Sequence, residues 1–223
     1  MAALIVLISV FFFLAIEAIG LLIGRRRESA AEESPLRAFS DPRLPRGLFL
    51  GDGHGWARLT ESGELRVGMD ELLTQALGGA ERVELPPVGT RIAKGAPLAT
   101  IWRLGRKLVV PSPVDGTVVA TNETVERSPA VLEADPYGSG WLAAIWPVEH
   151  GEALKSLRVG ERALKWLERE IQRFAEFLAL RTSPELVGGT LPDGARPVIG
   201  AALALDDEGW AEFEREFTHV SAR

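Results

Sequence analysis

The 223-residue chain has no cysteine, only three histidines, and fewer basic residues (25) than acidic ones (31). Without cysteine there can be no disulfides, no thiol chemistry and no cysteine-based zinc or iron–sulfur site, and the redox compartment stays open. His54, His150 and His219 show no pair at ligand spacing on a helix, so no metal centre is expected. The net charge of −6 opposes nucleic-acid binding, which needs a dense field of Lys and Arg.

The longest apolar run is MAALIVLISVFFFLAIEAIGLLIG, residues 1–24, followed at once by Arg25, Arg26 and Arg27. About 20 such residues suffice to cross a bilayer as a helix. A secretory signal carries its positive residues before the apolar run; here they follow it. The positive-inside rule then predicts a single span with the N-terminus outside and the bulk of the chain in the cytoplasm, at the inner membrane. Phe13, Glu17, Gly20 and Gly24 fall on one helix face. Gly20 and Gly24 form a G-x-x-x-G pair that admits a second helix, and a carboxyl at Glu17 needs a partner in hydrocarbon. This face is expected to meet transmembrane helices of other subunits.

Residues 25–48 carry charge and three prolines without sustained periodicity and read as a linker or strap, roughly 80 Å if fully extended. From residue 49 to 149, short runs of Val, Leu, Ile and Trp alternate with turn signals such as GDG, PPVG, SPVDG and YGSG, the pattern of a compact β domain. One brief helix interrupts it at MDELLTQALGG, capped by Asp70 and ended by Gly78 and Gly79. Residues 150–223 form a helical extension. Leu164, Leu167, Ile171, Phe174 and Leu178 repeat at helical spacing. Trp210, Phe213 and Phe217 make an aromatic stripe, which needs a cover from the domain itself or a neighbouring subunit and is assigned to a partner.

The segments His54–Trp56, Val67–Gly89, Ser112–Glu123 and Ser128–Leu142, in their order and spacing, resemble the glycine cleavage H-protein family of lipoyl/biotinyl carriers. The resemblance implies a mainly β fold, a barrel-sandwich hybrid of two small sheets with a hairpin at one end. Gly89 and Gly116 would supply its turn conformations, and Trp141 would enter the core after the Gly138–Gly140 bend. In that family a hairpin-tip lysine, eight residues before the proline of Pro-Val-x-Gly, carries lipoate as an amide. Counting back from Pro113 reaches Gly105. The nearest amine is Lys107, which a two-residue Leu104-Gly105 turn would place opposite Trp102. Arg103, Arg106 and Lys107 make the tip basic and suited to an acidic partner surface or anionic headgroups.

No nucleophile motif or phosphate loop occurs, so no enzyme is expected, and with Gly105 at the place of the family's lysine no cofactor is expected either. The leading expectation is a membrane-anchored accessory subunit of a larger complex, an electron-transfer assembly among the candidate hosts, whose carrier lysine has been lost. The alternatives are a tethered carrier lipoylated at Lys107 and a scaffold that binds a soluble partner through the basic hairpin. On the packing-face expectation, replacing Glu17 by Ala and Gly20 by Leu releases the subunit from its complex in mild detergent; unchanged co-purification rejects it.

Overall fold

The computed structural model describes residues 37–182 and 196–218. The expected span, with Phe13, Glu17, Gly20 and Gly24, lies outside the described residues. Among those described, no helix is long and apolar enough to cross a membrane. The architecture below belongs to the unit that begins at Ala38.

Among the described residues, ten short strands make two sheets. The larger contains β1 (Leu48–Leu50), β2 (Gly55–Leu59), β3 (Leu65–Met69), β5 (Arg91–Ile92), β8 (Gly116–Thr121), β9 (Ala143–Pro147) and β10 (Arg158–Val159), in the order β10-β1-β2-β3-β9-β8-β5. The smaller contains β4 (Arg82–Glu84), β6 (Pro97–Arg103) and β7 (Arg106–Pro111), with β6 central. Every strand pair is antiparallel. Both strand orders are open, so the domain is mainly β without a closed barrel among the described residues.

Helix α1 (Glu71–Leu77) is buried throughout its length. Asp70 caps it, accepting the backbone N–H groups of Leu72 and Leu73, and Gly78 ends it in the left-handed conformation. These are the start and stop chemistries legible in the sequence. Short helices α2 (Glu123–Arg127), α3 (Val131–Ala134) and α4 (His150–Lys155) fill connections. Helix α5 (Glu161–Ala179) turns Trp166, Leu167, Ile171, Phe174 and Leu178 into the core.

Several expectations need correction. The strap is docked from Ala38 on: Ala38 bridges to Val198, Phe39 is buried against Phe174 with ring centroids 5.9 Å apart, and the Ser40 N–H donates to the Gln75 side chain at 2.8 Å. The C-terminal extension, whose packing on the domain or on a partner the sequence leaves open, shares one core with the sheets. Gly116 is not a turn residue. It lies in β8, where a Cβ would fall 2.4 Å from both the Ile145 side chain and the Trp146 carbonyl, so close strand approach requires glycine. Trp141 is only half-buried, beneath the Arg66 guanidinium, while Trp56 is fully enclosed.

The core also contains charge. His54, fully buried and held at φ +61°, bonds through Nδ1 to Asp70 Oδ2 at 2.7 Å. Its Nε2 lies 3.6 Å from Glu170 Oε2 on α5. Burial opposes charge on the imidazole, but the Asp70 carboxylate and its hydrogen bond, with Glu170, outweigh it and raise the pKa to about 9. Burial likewise pushes the Glu170 pKa upward, and the contacts with His54 and Arg173 override it, holding the group at about 2. Glu71 is raised to about 8 by burial and by the Asp70 charge. His54 and Glu71 both bind protons more tightly folded than unfolded, so their contributions are present at low pH and fade upward, through about 9 for His54 and about 8 for Glu71. Glu170 acts oppositely, its contribution fading as pH falls from the usual carboxylate range toward about 2. Unfolding measurements should therefore show stability falling from pH 6 to pH 9, with a smaller slope in His54→Gln. An unchanged slope would reject the imidazolium assignment.

Candidate functional site

The hairpin of β6 and β7 projects from the three-stranded sheet. Its turn is Leu104-Gly105, with φ of +45° and +77°. Two positive φ angles at a two-residue loop define the type I′ turn that matches strand twist, and Gly105 is suited to its half of it. Arg103 pairs with Arg106 and Trp102 with Lys107, as the two-residue turn predicts. At the apex, Leu104 is 67% exposed and Gly105 would have open space beside a Cβ.

The tip is basic in sequence but largely neutralised in structure. Glu81 accepts the Leu104 backbone N–H at 3.1 Å and pairs with Arg103 at 3.5 Å. Arg106 reaches helix α6 (Asp207–Phe213), where Nη1 lies 2.6 Å from Asp207 and Nη2 donates to the Leu205 carbonyl at 2.6 Å. Its guanidinium also lies over the Trp210 ring, 5.4 Å from the centroid. The Trp210 indole N–H donates to the Lys107 carbonyl at 3.2 Å. One turn later, burial raises the Glu214 pKa, a rise opposed by the Val109 N–H and by the Lys107 charge. The free edge of β7 is therefore covered by side chains from the C-terminal segment rather than by another strand.

This geometry corrects two partner-binding expectations. Arg103 and Arg106 are committed within the chain, and only Lys107 remains exposed without an ion-pair partner among the described residues. Trp210, Phe213 and Phe217 face inward. Phe213 and Phe217 are fully buried and pack with Phe174 and Phe177 at centroid distances of 5.4–6.5 Å. Sequence reading missed Glu81, Asp207 and Glu214 as hairpin partners. Asp207 and Glu214 lie a hundred residues from β7 and carry no local signal. His54 stood out only as part of a motif.

The model of the glycine cleavage H-protein family matches residues 49–170. The chain belongs to that family. Two curated relatives are a probable glycine cleavage system H protein of Thermococcus gammatolerans, 36% identical over 56% of this chain and 93% of the relative, and a glycine cleavage system H protein of a Psychrobacter species, 37% identical over 53% and 93%. A crystallised H protein of the glycine cleavage system from Mycobacterium marinum superposes with a TM-score of 0.50 at 26% identity, covering 56% of this chain and 98% of that one. H proteins are carriers and not themselves catalytic.

The family assignment overturns the expectation of no cofactor, because the relatives are H proteins and lipoate is the family's group. In this chain the apex residue, Gly105, has no amine. Lys107, one cross-strand pair below the turn, is the hairpin's single amine. It is exposed, with Nζ 6.0 Å from the Trp102 ring centroid.

Arg106→Gln removes the charged link to the C-terminal segment and leaves the Leu205 carbonyl short of a donor. It should cost about 1–2 kcal/mol in unfolding experiments and accelerate amide exchange across residues 103–109. Unaltered exchange would show that the hairpin does not depend on this brace.

Proposed function

We propose that this H-family chain is a non-catalytic accessory subunit of a larger membrane complex. The run at residues 1–24 anchors it, and the β6–β7 end of its domain, read as a barrel-sandwich hybrid, docks on neighbouring subunits. The observation that supports this most is the brace on the hairpin. Arg106 and Trp210 tie the β7 edge to the C-terminal segment, which makes a braced projecting surface of a family element whose apex here is leucine and glycine. A rigid surface loses little conformational entropy on docking.

A second reading is favoured by one observation, the exposed Lys107 amine beside the turn. In that reading the chain is a tethered carrier. Lipoate held there would supply a redox-active dithiolane on a long amide arm, and the protein's own part is to present the exposed Lys107 side chain alongside the Trp102 ring.

Intact-mass measurement of the full chain from its native source, purified in mild detergent, tests both. Stable association with other membrane subunits is expected, and a chain that elutes alone defeats the accessory reading. A lipoyl mass that disappears in Lys107→Ala selects the carrier reading; a lipoyl mass that persists in that variant rejects Lys107 as its site.

A further inference from the structure

On the side of α5 turned away from the core lies a groove of about 770 Å³, walled by α5 and by the stretch from the end of α4 into β10. Lys155, Arg158, Arg162, Lys165 and Arg169 line it, against the single carboxylate of Glu168. Arg162, Lys165 and Arg169 are all exposed and, at spacings of three and four, share one stripe of the helix. Lys155, Arg158 and Lys165 hold Glu152, Asp52 and Glu161 as partners, whereas Arg162 and Arg169 have no ion-pair partner among the described residues. The exposed lysine pairs are of the weak kind that exchange readily for another anion. In a chain of net charge −6, this is a local reversal of sign.

The three α5 cations span about 10 Å of helix axis, and Lys155 and Arg158 extend the field further. Such a spread suits an array of anionic groups better than a single acid. We infer that this groove is a docking face for anionic phospholipid headgroups, turning α5 toward the bilayer. The inference rests on the anchor reading of residues 1–24, which keeps a membrane surface within reach of the strap. The acidic remainder of the domain is repelled by the same surface, so attraction at one face also sets orientation. Each cation close to an anionic leaflet contributes about fivefold in affinity, and the effect fades beyond a screening length of about 10 Å in 0.1 M salt.

The test uses the full chain in nanodiscs of neutral phosphatidylcholine or with added phosphatidylglycerol, following acylation of Lys155 by an amine-reactive probe. Labelling is expected to be several-fold slower on the anionic discs. The difference should vanish in about 1 M salt, where screening acts within about 3 Å, and in R162Q/R169Q, whose exposed positions leave the core intact. Equal rates on the two lipids overturn the proposal. Equal slowing by inorganic phosphate on neutral discs overturns it too, reassigning the groove to a soluble anion. A chain that fails to enter nanodiscs defeats the anchor reading instead, and its binding to anionic against neutral vesicles then tests the groove separately.

Discussion

The fold is organised around a buried imidazole set between two carboxylates. His54 stands at the entrance to β2, Asp70 at the cap of α1 and Glu170 on α5, so one small ionic group joins the large sheet, the buried helix and the long helix of the extension. Breaking such a buried group from one side costs far more than the intact group contributes, because a charge is left without a partner. The ring is stacked on Trp166 and Phe217, so the same contact locates the aromatic cluster and, through it, the C-terminal segment. Asp70 serves twice, capping α1 and bonding the imidazole, which places a backbone requirement and an electrostatic one on a single side chain.

The brace on the hairpin follows from this arrangement. Once Phe174, Phe213 and Phe217 are packed together, α6 runs beside β7, and the Trp210 indole presents a donor to an otherwise unpaired strand edge. An edge capped by side chains has little left to offer an incoming strand. What the hairpin leaves open is therefore its turn and the Trp102–Lys107 face, not its backbone edge.

What was legible in the sequence was what local chemistry determines. The Asp70 cap, the Gly78 stop, the Leu104-Gly105 turn and the apolar stripe of α5 each follow from a few neighbouring residues, and the cross-strand pairing of Trp102 with Lys107 followed from the turn length. Partnership across a hundred residues was not legible: nothing near Arg106 names Asp207, and nothing near Phe39 names Phe174. The basic tip was misjudged for that reason, since charge counted along the chain ignores carboxylates brought in from elsewhere. Gly116 was misassigned because a turn and a close strand crossing both call for glycine, and only the crossing occurs here. The aromatic stripe was correctly seen to need a cover; whether the cover was internal depended on packing that periodicity does not encode.

The order in which these parts leave the ribosome has a consequence of its own. The three strands of the small sheet are complete by Pro111, yet the groups that close the β7 edge come from residues 205–218. For the time needed to synthesise about a hundred further residues, several seconds at cellular elongation rates, that edge is an open template. A chain stopped short of Trp210 would keep it open permanently. The C-terminal aromatics are thus also the lock that ends the nascent domain's exposure to strand-mediated aggregation.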